Sequence, residues 1–419
     1  MYKIKNIFYK YFSITDITAV LIKVLTAFFL VFSNMVITKY FNDKQLSLYY
    51  LIVPTTSFFT MIFVSPITIF LINNSILNKH NIYKLITEYF IYLSLLGIIF
   101  ILPINFIFFR IDTITRLLLI LYIFFEINIG TISGIIVQNE SLNGYLKKSV
   151  YLNLVNSSTL IIFPICFGYI WSWSLNVWII GLIFARFTQV PFFYFATNFN
   201  FDFISIKPKL NILLNNFFQN ISSIIKLSLN SVLGWFHNNM SKILITFLLG
   251  ITSAAPFLYV YSISATIATI SEGFVKPILD RKIFTSIHGS IDKENLDPLY
   301  IYIFIAVLGF IFIPILGNIL SKYRYSHLMN LSRIIFVFEL FRLYMYYKIS
   351  IFQIKFGYNK GLLINTFFLI IYATSLCVLF FIKQDIKIFY LIYTFLLIVI
   401  LFLNSKIPRI NRIRQIIPQ

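Results

Sequence analysis

Acidic residues are scarce in this chain. Fourteen Asp and Glu stand against 34 Lys and Arg in 419 residues, and charged residues altogether make up only 11%. Soluble domains carry roughly 25% charged residues, so this composition excludes a soluble globule of this length. Cysteine is almost lacking. Cys166 and Cys377 lie inside apolar stretches without metal-ligand spacing, which excludes a disulfide scaffold and a cysteine metal centre. There is no HExxH, no Walker loop, no GxSxG and no DxD-bearing soluble stretch, so the motifs of metalloprotease, nucleotide and serine-nucleophile chemistry are missing. Neither a metal nor a cofactor is expected. A compact basic domain is missing as well. The net charge of +20 is spread over short loops, which argues against a nucleic-acid binder and suits an inner face resting on anionic lipid headgroups.

What is present is apolar: 59% hydrophobic and 19% aromatic residues, with a mean hydropathy of +0.87. A bilayer core takes about 20 apolar residues per helix. Twelve segments meet that length, at roughly 16–38, 47–72, 82–108, 114–137, 148–171, 174–197, 222–249, 254–278, 298–320, 328–347, 361–382 and 387–404. The expected fold class is therefore an all-α polytopic membrane protein. The first apolar run is too long for a cleavable signal peptide and lacks a small-residue cleavage site.

Loop charge tests the count. With a cytoplasmic N terminus, Lys39, Lys44, Arg110, Arg116, Lys322, Arg324, Lys383 and Lys387 fall on the outer side, eight in all, against nineteen Lys and Arg on the inner side. That bias obeys the positive-inside rule and places both termini in the cytoplasm of a cell inner membrane. One helix more or less would scramble the sorting downstream.

The longest connections, about 198–221 and 279–297, lie on the inner side. The first divides the chain into a six-helix bundle over 1–200, a linker over 201–221 and a second six-helix bundle over 222–419. In the linker, Leu210, Leu213, Leu214, Phe217, Phe218 and Ile221 alternate with Asn and Gln at helical spacing. Either an interfacial amphipathic helix or an inward extension of span seven fits that pattern. An even number of spans in each half makes the halves parallel, related by an axis along the membrane normal. Eight prolines within or at the ends of spans supply kinks, which moving and static bundles both use.

Each ionisable residue at mid-helix costs about 2.5–3.5 kcal/mol on insertion scales, so those inside the spans are informative. Span one places Asp16, Lys23 and Asn34 in one sector. Span seven lines up Lys226, Asn230, Gly234, His237 and Ser241, and span eight Ser262, Thr266, Thr269, Glu272 and Lys276. Span four sets Tyr122, Glu126 and Ser133 at helical spacing, and Arg186 lies within span six. The stripes on spans one, seven and eight point to a central hydrated cavity between the halves. Lys23, Arg186, Lys226, His237 and Lys276 are the candidate substrate contacts, and Glu126 and Glu272 the candidate coupling groups. Glu339 and Arg342, at i,i+3 on span ten, read as a structural ion pair. Plainer readings stand beside these. Lys226, Lys242, Lys276 and Arg333 lie near helix ends and are able to snorkel outward, and His237 fits equally well as a hydrogen-bonded packing residue.

Several short stretches carry a resemblance. Phe41-Asn42-Asp43-Lys44-Gln45-Leu46-Ser47-Leu48-Tyr49 comes after span one, Gln138-Asn139-Glu140 after span four, and Trp235 through Lys242 runs on to Leu249-Gly250. With the helix count and the lysine in span one, these make the chain resemble the O-antigen and polysaccharide repeat-unit flippases of the multidrug/oligosaccharidyl-lipid/polysaccharide exporter superfamily. Ser47 and Ser241 stand where that family has a turn Gly and a helix-seven Asp. Ala254 through Tyr259 replaces its Gly-x-Tyr at the start of helix eight.

The resemblance implies a flippase, not an enzyme, whose substrate is a polyprenyl-pyrophosphate-linked oligosaccharide. It also implies a lipid environment, and a polymerase and chain-length regulator of the same pathway as partners. A cationic cavity suits a pyrophosphate that loses hydration. The spans hold seven basic residues against five acidic ones, namely Asp16, Glu88, Glu126, Glu272 and Glu339. A membrane repeat-unit polymerase or ligase is one alternative, weakened by the short outer loops. A small-molecule antiporter of the same superfamily is another.

Overall fold

The computed structural model describes residues 14–59, 111–134 with 136, 146–197, scattered positions from 229 to 246, 249–268, 298–356, and 366, 370 and 374. Spans three and twelve, the 201–221 linker, and the side chains of Asp16 and Lys23 lie outside the described residues. Every regular element among those described is helical. In chain order these are α1 (Ile14–Tyr40), α2 (Asp43–Phe59), α3 (Thr113–Phe125, running on through a π turn at Glu126–Gly130), α4 (Leu146–Ile170) and α5 (Leu175–Thr197). Helical residues between 232 and 249 come next, then α6 (Ala255–Ala268), α7 (Pro298–Leu320) and α8 (Met329–Phe356). Among the described residues, four stretches are long and apolar enough to cross a bilayer: Thr113–Gly134, Tyr151–Ile170, Leu175–Phe193 and Tyr302–Leu320.

The helix ends reflect local chemistry. α2 opens on a reciprocal box in which Gln45 N–H donates to Asn42 Oδ1 at 2.9 Å and Asn42 N–H donates to Gln45 Oε1 at 3.3 Å. α3 opens on Asp112, whose carboxylate accepts the Thr115 N–H at 2.9 Å. That bond holds the Asp112 carboxyl below its usual range. α8 runs nine residues past the apolar stretch that ends near 347, carrying Lys348 and Lys355 on helix instead of loop. No Gly or Pro interrupts it until Gly357, so backbone propensity continues the helix beyond the apolar stretch.

Lipid tails give apolar side chains no hydrophobic reward for pairing, so close backbone approach and polar contacts hold membrane helices together. α4 meets α1 and α5, α5 meets α3, and α7 meets α8. At the α4–α5 crossing Gly181 faces Pro164, and a Cβ built on Gly181 would lie 2.5 Å from the Pro164 Cα. Glycine there is what lets the two backbones touch. α6 is buried on several sides, with Ala254, Ala255, Tyr259, Val260 and Ser264 all closed to solvent. Its Tyr259 hydroxyl donates to the Gly317 carbonyl on α7 at 3.0 Å, and Ser264 Oγ donates to the Ser332 carbonyl on α8 at 3.1 Å.

The turns at 41–42, 111–112, 171–174 and 321–328 share one end of the bundle, tied by side chains. Tyr40 stacks on Trp173 at 4.2 Å, and Thr115 Oγ1 donates to Asn176 Oδ1 at 2.5 Å. Trp178 is wedged edge-on between Phe41 and Tyr49, while Trp171 stands exposed against Phe167.

Candidate functional site

Two buried charge networks and a polar seam carry the chemistry among the described residues. The first begins where α3 widens. Between Glu126 and Gly130 its hydrogen bonds shift to π spacing, and polar side chains take up carbonyls: Asn128 Nδ2 donates to the Phe124 carbonyl at 2.8 Å and Thr131 Oγ1 to that of Ile127. Such single π turns recur at functional positions. The wide turn also shifts the register by about one residue. Ser133, expected on the face of Tyr122 and Glu126, donates back to the Gly130 carbonyl at 2.8 Å.

Arg186 comes across from α5. Its Nε donates to Glu126 Oε2 at 2.7 Å and its Nη2 to Glu126 Oε1, a two-point fork. Nη1 donates to Asn156 Oδ1 on α4 at 2.6 Å and to Gln189 Oε1, one turn along α5, at 2.7 Å. Gln189 Nε2 continues the chain to Thr159 Oγ1 at 2.7 Å. Gly130 makes room for this pair, since a Cβ there would sit 2.8 Å from Glu126 Oε1 and 3.1 Å from Arg186 Nη2. The arginine side chain is 4% exposed and the glutamate 20%, so the carboxylate is the less enclosed member of the pair. By sequence alone, Arg186 and Glu126 have separate roles, one meeting substrate and one coupling. In the fold they are one neutral unit.

The second network lies between α6, α8 and the 232–249 helical residues. Glu339 pairs with Arg342 on α8 through a guanidinium fork and accepts the Tyr261 hydroxyl from α6 at 2.5 Å. Lys242 turns inward instead of snorkelling: its ammonium sits 4.8 Å over the Tyr261 ring and donates to Asn239 Oδ1 at 3.3 Å. Arg333 lies over the Phe310 ring at 5.4 Å, with its Nε buried and unpartnered.

The seam runs between the early and late helices. Asn34 on α1 is buried and its Oδ1 accepts from Tyr50 of α2 at 3.1 Å and from Ser262 of α6 at 3.5 Å. Lower down, Trp235 Nε1 donates to the Pro54 carbonyl of α2 at 2.8 Å, and its ring lies 4.5 Å from Phe58. The polar faces expected on spans one and eight thus meet directly at Asn34 and Ser262. Lys226, His237, Glu272 and Lys276 lie outside the described residues, and only the backbone of Lys23 is described, on α1. Asn156, Gln189 and Lys242 as an inward group escape a reading by motif. Their signal is polar residues at i,i+3 within apolar spans: Asn156 with Thr159, Arg186 with Gln189, Asn239 with Lys242.

This is an all-α polytopic membrane protein. The chain matches no protein-family model and no curated protein sequence. It is similar to a solved structure described as the inward-facing conformation of a multidrug resistance MATE family transporter of the MOP superfamily. The match has a TM-score of 0.65 at 12% identity, over 92% of this chain and 97% of that one. At that identity the likeness is one of fold.

Proposed function

We propose that this protein is a flippase that moves polyprenyl-pyrophosphate-linked oligosaccharide repeat units across the cell inner membrane, with both termini in the cytoplasm. The observation that carries the transporter reading is the fold likeness over 92% of the chain. The lipid-linked substrate is supported by the sequence resemblance and by the mild cation excess within the spans. In this reading the lipid tail stays in the bilayer while the pyrophosphate and sugars cross a hydrated cavity whose cations replace lost hydration. Glu126 and Glu272 are the coupling candidates for an ion gradient. Glu126 is the more exposed member of its buried pair. A proton there would free Arg186 to attract an anion.

A small-molecule antiporter is the second reading, favoured by the described substrate class of the similar transporter, which concerns multidrug resistance. Deletion separates the candidates. Loss of a flippase leaves single lipid-linked repeat units on the inner leaflet and no surface polymer. Loss of a polymerase leaves one repeat unit capped on the surface lipid. Loss of a drug antiporter leaves polymer intact and raises drug sensitivity.

A further inference from the structure

The α7–α8 connection has an unusual construction. Lys322 N–H donates to the Ile319 carbonyl at 3.2 Å and Tyr323 N–H to the Asn318 carbonyl at 2.8 Å, closing α7 as a Schellman motif. Glycine normally fills the left-handed position of that motif. Here Lys322 and Tyr323 both adopt it, with φ of 50° and 63°. Two successive left-handed side-chain residues are strained. The next residue, Arg324, is thrown across the seam onto the α1–α2 corner. Its Nη1 donates to the carbonyls of Thr38 at 2.8 Å and Phe41 at 2.9 Å, and its Nη2 meets Asp43 Oδ1 at 2.7 Å. Tyr325 donates its hydroxyl to the same carboxylate oxygen at 2.6 Å.

The contact fits its site. Carbonyls at the end of α1 have no partner within the helix and carry the negative end of its dipole, so one guanidinium caps α1 and pairs with the first residue of α2 together. The Arg324 and Asp43 side chains are 33% and 39% exposed, unlike the two buried pairs deeper in the bundle. A strongly held contact within reach of water can break and reform. The other polar contacts across this part of the seam are sparser, such as Asn34 with Ser262 at 3.5 Å.

We infer that Arg324 and Asp43 form a latch that holds this end of the seam between the early and late helices shut, and that its release lets this end open. The inference rests on the transporter reading for its purpose, but its test needs no substrate. The chain, with Cys166 and Cys377 replaced by Ser, takes spin labels at Ser172→Cys and Ser253→Cys, two exposed positions in turns on either side of the seam. Distances are then read in lipid nanodiscs. The latched chain gives one short distance. Arg324→Ala and Asp43→Asn should each raise a longer-distance population about tenfold, Arg324→Lys less, and added salt should move the unmodified chain the same way. Melting temperature and helix content monitor folding. If Arg324→Ala does not fold, Asp43→Asn and the salt series decide. Unchanged distances in the folded variants overturn the latch. Opened distances in a chain that moves no lipid-linked sugar leave the latch standing and remove the flippase.

Discussion

At the scale of single residues, the Glu126–Arg186 fork determines what a substitution costs. Removing one partner of a buried pair strands a charge, which costs about 3–5 kcal/mol, whereas removing both for apolar groups is often near neutral. Arg186→Met alone should therefore lower thermal stability in detergent sharply, and Glu126→Leu with Arg186→Met should recover most of it. Equal melting of Arg186→Met and the unmodified chain would show that the fork contributes nothing. Gly130→Ala should destabilise by about 1–3 kcal/mol, the range for overpacking, since its methyl would press on both charged groups. That both residues are buried charges was legible in the sequence, because each stands alone in an apolar span. Their partnership was not. Sixty residues separate them, and hydropathy places a residue along a helix without saying which neighbouring helix it faces.

At the scale of elements, among the described residues, span boundaries fall close to where hydrophobic length puts them: α4 and α7 match their expected spans within a residue or two. The differences are cases where backbone hydrogen bonding outruns hydropathy. α8 continues past its apolar stretch because nothing breaks it, and α3 takes a π turn where a uniform 3.6-residue period was expected. Caps give a direct test at this scale. Asp112→Ala should destabilise by about 1 kcal/mol, measured by thermal melting. Because the native hydrogen bond lowers the Asp112 carboxyl, its contribution is present above the ordinary carboxylate value near 3.9. It is lost as pH falls through the lowered one. The gap between variant and unmodified chain should thus stay constant near neutrality and close in strong acid.

At the scale of the whole molecule, loop charge and helix count carry the expected topology. Topology reporters fused after residues 79–84 and 281–293 should read cytoplasmic, and those near 110–114 and 322–327 should read periplasmic. A periplasmic signal at 281–293 would contradict the twelve-span count. The cavity chemistry is tested by export. Lys23→Ala should reduce it sharply at unchanged membrane abundance, with Lys23→Arg retaining part, and Glu272→Gln should weaken gradient coupling more than substrate binding. Wild-type export in these variants would remove the cationic cavity. On the six-plus-six count, Glu126 and Glu339 both fall on the fourth span of their half, each forked by an arginine and each at mid-depth. The two arginines come from different places: Arg186 from α5, Arg342 from α8 itself.

The placement of tryptophan gives the molecule its own optical reporter. Of four indoles, Trp171, Trp173 and Trp178 crowd the end where the turns gather, and Trp235 rests on the seam against Pro54 and Phe58. Emission from an indole shifts to the red when water reaches it. Unlabelled protein should therefore announce any parting of α2 from the helical residues around Trp235 by a red shift traceable to that indole, and Trp235→Phe should silence that part of the signal. The remaining three indoles would hold steady as an internal reference, because their ring contacts lie among the early helices alone.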